Sequence, residues 1–276
     1  MGITRGTIKL IAMAAGREQG DRNVVTFGVQ GVQSSYPEAV ASIRECGLLP
    51  DHLADEEVIY DEVTQFGKTI HQTTLFRLLG YKTTESMDYF PDEHPTYVED
   101  LNCPVPQTLH GRYSLVYDGG TMEHCFNSPQ VMKNAVALVK TRGIVIHHVP
   151  MNNWVDHGFY QFSPTLFFDF YGANGFTDLE MKIHFLWRRK ESFVRYDPRV
   201  DDPLPYFLGG ATRVMVFFKA RKSADLVDIK LPIQGRYRKL FGSKGGEGTG
   251  EPRKGVFERL RGSWKKRTIK LMATPL

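Results

Sequence analysis

Strand and helix patterns alternate along this chain, and that alternation limits its fold more than any other feature. NVVTFG at Asn23–Gly28 reads as a strand, and YPEAVASIRECG at Tyr36–Gly47 as a helix with Pro37 in its first turn and Gly47 past its end. A helical piece at Thr73–Leu79 stops at Gly80 and leads into a strand at Thr83–Asp88. The strand Tyr113–Asp118 precedes a helix at Ser128–Lys140, with Ser128 as N-cap, Pro129 at its first position and a basic end. Gly143 opens the strand GIVIHHVP, and Ser163-Pro164 opens a helix that runs to about Gly175. Leu179–Trp187 and Thr212–Ala220 read as the last strands. A parallel crossover needs a covering helix, so this order predicts a doubly wound, mainly parallel α/β sheet. The last two strands, joined by the long loop Arg188–Gly210, are expected to pair antiparallel at one edge.

The charge distribution sets the domain limits. From Arg221 onward there are 15 Lys or Arg against 5 Asp or Glu, which leaves 20 against 26 for residues 1 to 220. A mildly acidic body therefore carries a basic tail. The body is expected to be one α/β domain over residues 23–221, with a 1–22 N-terminal extension, an inserted helical segment at 49–74 and a 222–276 tail containing the glycine-rich linker Gly242–Gly255. In Gly255–Leu271, Val256, Phe257, Leu260 and Trp264 share one helical side among arginines and lysines, a pattern suited to an anionic membrane surface or to packing on the body. No nucleic-acid-binding motif accompanies these basic residues.

Cys46, Cys103 and Cys125 have no CxxC spacing and leave an odd count, which argues against a disulfide framework and fits a reducing compartment. The apolar run Ile8–Ala15 is too short for a signal-peptide core and is broken by Lys9, and no run reaches the roughly 20 residues of a membrane span. A cytoplasmic protein, peripheral on a membrane if the tail binds one, is the expectation.

Ligands of doubly wound sheets sit beyond the carboxyl ends of the strands, which directs attention to five loops. The first, Gly28-Val29-Gln30-Gly31, has two glycines, enough for close backbone approach to a nucleotide-like ligand or for an ordinary tight turn. Asp88 ends the second strand, where a carboxylate can accept ribose hydroxyls or cap a turn. The acidic segment Val98–Asn102 follows. The fourth loop is YDGGTMEHCFN at Tyr117–Asn127. The fifth, His147–Pro164, is dense in hydrogen-bonding and aromatic side chains, among them Asn152, Asn153, Trp154, His157 and Tyr160.

Asp118 at a strand end, Glu123-His124, the following helix, Leu138–Gly143 and the strand closing in Pro150 resemble the fourth and fifth motifs of class I S-adenosylmethionine-dependent methyltransferases. The local pattern is similar to the group with a Leu-Glu-His triplet after the fourth strand, Met122 standing for the leucine. The longer match, through HGFYQFSP to Asn174–Phe176, resembles a bacterial subgroup associated with polysaccharide and secondary-metabolite genes. The resemblance implies a Rossmann-like methyltransferase fold, S-adenosylmethionine as cofactor, and transfer of a methyl group to a sugar, glycan or other small molecule. It implies that Gly28 and Gly31 mark the glycine-rich loop, that Asp88 takes the ribose hydroxyls, and that Asp100 and Leu101 flank the adenine. It further implies that Asp118, Gly119 and Gly120 form the floor beneath the methionine part.

The sequence departs from that family in its first motif. Thr26 stands where an acidic residue is usual, Gln30 and Val32 replace glycines, and 60 positions separate Gly28 from Asp88 where about 20 are common. The missing acidic partner for the cofactor's amino group leaves a second reading open, a methyltransferase-like binding or scaffold module without transfer activity.

Removing a proton from an oxygen nucleophile near pH 7 suits histidine. His124 and His157 are the candidate bases, His148 the third, with Asn152, Asn153 and Tyr160 positioning the acceptor. His147 and His148 point to opposite faces of a strand and do not share a metal. Glu123, His124 and His157 meet only if the fold brings them together, and the spacing alone assigns no metal.

Overall fold

The computed structural model describes residues 2–16, 22–51, 53–61, 67–187, 190–199, 211–224, 228–235, 237 and 274–275. The glycine-rich linker and the basic apolar stripe of the tail lie outside them. Among the described residues no helix is long and apolar enough to cross a membrane.

Among the described residues nine strands form one sheet in the order β3-β2-β1-β4-β5-β8-β6-β7-β9. The first five are β1 (Asn23–Phe27), β2 (Thr83–Asp88), β3 (Tyr97–Val98), β4 (Tyr113–Asp118) and β5 (Val139–Asn152), and they run parallel. β6 (Phe176–Leu186) is separated from β5 by β8 (Arg213–Lys222), which is antiparallel to both. β7 (Glu191–Arg195) pairs antiparallel with β6, and the two-residue β9 (Thr274–Pro275) pairs with β7 at the edge. The doubly wound, mainly parallel fold with an antiparallel edge is therefore the one the alternation predicts. The last long strand lies between β5 and β6, an order that the alternation leaves open, and one detail differs: the loop after Trp187 contains β7.

Period-two alternation feeds two cores, one on each face. Val25, Phe27, Val116 and Val145 meet α4 (Ser128–Leu138) and α5 (Pro164–Ala173). Their neighbours Val24, Leu115, Tyr117, Ile144 and Ile146 meet α1 (Arg5–Ala15), α2 (Tyr36–Glu45) and α3 (Gln72–Leu78). The segment set apart as an N-terminal extension contributes α1 to that second core. Ile8, Leu10, Ile11 and Ala12 are fully buried, and Ile3 bridges to Val32.

Helix starts follow local chemistry. The Ser35 N–H donates to Glu38 Oε2 at 2.9 Å, closing a capping box at α2. At α4 the cap is Asn127; Ser128, expected to cap, instead donates its hydroxyl to the Cys125 carbonyl at 3.1 Å. Lys140, expected at a basic helix end, already belongs to β5, which starts at Val139 and not at Gly143. Among its described residues the 49–74 segment holds a single turn at Asp55–Glu57, a bridge from Tyr60 to Ile70 and the first turn of α3.

Phe218 sits at the centre of the α5-side core, its ring centroid 5.4 Å from those of Phe167, Phe168 and Tyr171. Phe218→Ala should lower stability by about 3–5 kcal/mol in urea unfolding, and Phe218→Leu by less than half of that.

Candidate active site

The chain leaves β1 toward β2 and β3, then returns to place β4 on the other side of β1. The carboxyl ends of β1 and β4 thus flank a topological switch point, where loops diverge and leave a crevice. A cavity of about 490 Å³ opens there. Its wall takes residues from each of the first four loops: Val29 and Gln30 after β1, Asp88–Phe90 after β2, Glu99–Asn102 after β3, and Gly119–Thr121, His124 and Cys125 after β4.

The first loop turns at Gly28, whose φ of 73° suits glycine, and a Cβ there would stand 2.8 Å from Thr121 Oγ1. Gly31 has nothing within 4 Å of a would-be Cβ and no positive φ, so nothing here requires a glycine. Its carbonyl accepts from the Ile3 N–H, and it does not border the cavity. Gln30, the departure from the glycine pattern, borders it instead. Its Nε2 donates to the Phe27 carbonyl at 2.7 Å, which turns Oε1 toward Gly119. That Oε1 is buried without a hydrogen-bond partner, and a Cβ on Gly119 would collide with it.

Asp88 Oδ1 accepts the Phe90 N–H at 3.1 Å, and Asp100 Oδ1 accepts both nitrogens of Asn102. Leu101 is held through its carbonyl by Asn134 Nδ2 at 3.0 Å. Asp118 does not form cavity floor. It is fully buried, accepts the Thr121 and Met122 N–H groups at 3.0 and 3.2 Å on Oδ1, and lies 2.8 Å from His147 Nδ1 through Oδ2. His147 Nε2 in turn is 2.6 Å from the Tyr171 hydroxyl. Asp118 fixes the loop whose glycines form the floor.

Next to this cavity lies a second one, of about 300 Å³, bordered by Thr4, Thr7, Gln33, His148, Trp154, His157, Arg213 and Met215 among others. His124 borders the larger space and His157 the smaller, and their rings lie 4.9 Å apart. Glu123 sits with them, its Oε1 3.5 Å from His157 Nε2 and 3.9 Å from His124 Nε2. It is fully buried, and neither carboxyl oxygen has a hydrogen-bond partner, so it caps no helix. Burial, with Asp118's charge second, pushes Glu123 up to about 8. Burial also holds both imidazoles below the ordinary histidine value, so they do not act as cationic partners at neutral pH.

His148 is buried on the opposite face from His147, as alternation requires. Its Nε2 lies 3.1 Å from His184 Nδ1, and His184 Nε2 lies 3.2 Å from Glu191 Oε2, which also accepts the Thr4 hydroxyl at 2.9 Å. The Arg213 guanidinium lies over Trp154, 4.8 Å from the ring centroid.

The residues expected to position an acceptor are elsewhere. Asn152 ends β5 opposite Val214, Asn153 donates to the Thr212 carbonyl at 2.6 Å, and the Tyr160 hydroxyl donates to the Phe126 carbonyl at 2.9 Å. None of the three borders either cavity. They shape the loop that delivers Trp154 and His157. Arg213, Thr4 and Gln33 gave no local signal, because their place at the cavity depends on β8 and the N-terminal segment packing there. Gln30 was visible as a departure from a pattern, though not as a cavity residue.

No family model and no curated protein matches the sequence. Solved structures with a similar chain path include a SAM-dependent methyltransferase from Thermotoga maritima, 12% identical over 79% of this chain and 90% of that one, at a TM-score of 0.37. One from Archaeoglobus fulgidus is 11% identical over 79% and 94%, at 0.40. A Haemonchus contortus phosphoethanolamine N-methyltransferase, in complex with phosphomonomethylethanolamine and S-adenosylhomocysteine, is 10% identical over 80% and 58%, at 0.38.

The His148–His184–Glu191 chain makes a pH prediction. Burial alone would raise Glu191, but hydrogen bonds from His184 and Thr4 outweigh it and hold the carboxyl below its ordinary 4.5. A depressed folded-state value gives stability that is present above pH 4.5 and fades as pH falls through the folded value. Glu191→Gln should therefore cost about 1–3 kcal/mol in denaturant unfolding at pH 7, with the gap to wild type closing as the acid range below pH 4.5 is entered.

Proposed function

We propose that this protein is an S-adenosylmethionine-dependent methyltransferase that holds its cofactor in the larger cavity and a small hydroxyl-bearing acceptor, such as a sugar, in the smaller. One observation carries this reading: at the switch point of a doubly wound sheet, the larger cavity joins a carboxylate at the end of β2 to a side-chain-free floor at Gly119–Gly120. Asp88 suits ribose hydroxyls, and Asp100 with Leu101 suits the adenine. Gly119 and Gly120 let a sulfonium lie close to the backbone. The unpartnered Gln30 Oε1 is an acceptor for the amino group of the methionine part, in place of the missing acidic residue. Gly28 shapes the loop, and Asp118 supports it from below.

Transfer itself needs the acceptor oxygen in line with the methyl carbon and rid of its proton. S-adenosylmethionine held in the larger cavity would supply the methyl group: the acceptor oxygen's lone pair would form the C–O bond as the S–C bond breaks, the S–C electron pair would stay on sulfur, and the acceptor proton would leave. S-adenosylhomocysteine, the methyl ether and one proton are the products. His124 and His157, at the border of the two cavities, are the catalytic residues that draw off this proton. Trp154 offers a flat apolar face to a ring-shaped acceptor, and Arg213 beside it favours one bearing a negative group.

Titration calorimetry with S-adenosylhomocysteine tests the cofactor site. Micromolar binding is expected, weakened about ten- to a hundredfold in Asp88→Ala through loss of charge-assisted hydrogen bonds. A folded wild-type chain that does not bind overturns the reading. Binding without turnover, across acceptors offered with labelled cofactor, would favour the inactive binding module.

A further inference from the structure

We propose that Glu123, His124 and His157 form a binding site for one divalent metal ion of the zinc class, at the border between the two cavities. One ligand atom from each residue lies within 4.8 Å of the other two. Two of the separations are 3.5 and 3.9 Å. Zinc bonds of about 2.0–2.2 Å in tetrahedral geometry place ligand atoms about 3.4 Å apart, so small side-chain rotations close the set. Two imidazoles and a carboxylate suit zinc and its transition-metal neighbours, whereas magnesium and calcium prefer oxygen ligands.

The state of these atoms supports a cation site independently of their spacing. Glu123 Oε1 and Oε2 and His157 Nε2 are all buried without a hydrogen-bond partner. Buried polar groups are almost always paired, and a buried carboxylate needs a positive partner in particular. The nearby guanidinium of Arg213 lies on Trp154. The backbone also holds the group in place. The Glu123 carbonyl accepts the Phe159 N–H at 2.8 Å and the Tyr160 N–H at 3.3 Å. This clamps the His157 loop to Glu123, and a Cβ on Gly158 would come within 2.9 Å of the same carbonyl.

Three protein ligands leave a coordination position open, as in catalytic zinc sites. With the metal bound, both imidazoles serve as ligands and no longer as bases; an acceptor hydroxyl in the open position would lose its proton to solvent more readily, because the metal stabilises the oxyanion. That role rests on the methyl-transfer reading, whereas the metal site itself does not. Wild-type protein, stripped with chelator, should bind one equivalent of Zn²⁺ in calorimetry, and Co²⁺ should give the visible absorption of a low-symmetry site. Losing outer-shell support alone costs about 10–100-fold, so His157→Ala and Glu123→Gln should each weaken Zn²⁺ binding by at least ~100-fold. Each variant's S-adenosylhomocysteine titration and circular dichroism serve as the check on folding. If both variants bind Zn²⁺ as wild type does, or if folded wild type binds none, the site is overturned. If S-adenosylhomocysteine binding fails while metal binding and its loss in the variants hold, the methyl-transfer reading falls and the metal site stands.

Discussion

A single buried carboxylate organises the functional end of the sheet. Asp118 closes β4, and its two oxygens satisfy the N–H groups that open the following loop and the imidazole of His147 on the neighbouring strand. The Tyr171 hydroxyl reaches the far side of that imidazole, so β4, β5 and α5 share one hydrogen-bonded axis. Asp118 and His147 are fully buried, so each partner in this chain would be costly to leave unpaired. The loop from Gly119 to Cys125 therefore starts from a fixed point, and the positions of Gly119, Gly120, Glu123 and His124 follow from it.

Two consequences meet at the border between the cavities. The rigid loop presents glycine backbone to the larger space, where a ligand can come close. It also turns Glu123 inward, out of reach of any partner but His124 and His157. A carboxyl group in such surroundings tends to keep its proton, as its upward shift to about 8 expresses, unless a cation arrives. Strong desolvation beside two neutral imidazoles is the kind of arrangement that proteins maintain for chemistry, since it contributes nothing to stability.

Much of the architecture was legible locally. β-branched runs, Pro at helix starts and Gly past helix ends marked β1, β2, β4, β5, α2, α3 and α5 within a few residues, because these signals act through neighbouring backbone. The long-range pairings were not legible. Nothing in Thr212–Ala220 says that it will lie between β5 and β6, since an antiparallel strand buried on both faces has the same apolar composition in either place. The short apolar run near the N-terminus was tested only as a targeting signal, and it became a core helix because the exposed face of β1, β4 and β5 needed a cover.

The sequence by itself determined where strands end and therefore which loops face a ligand, a consequence of alternation and the switch-point geometry. It also placed Asp88, Asp100 and Leu101 on those loops. Tertiary structure decided which side chains enter the cavities. Register and packing turned Asp118 inward to His147, left Gly31 outside and brought Gln30 in. They also drew Asn152, Asn153 and Tyr160 into the scaffold of their loop. Most of all, the meeting of Glu123 and His124 with His157 depends on a loop folding back onto the Glu123 carbonyl, and backbone contacts between distant segments leave no mark on the residues that make them.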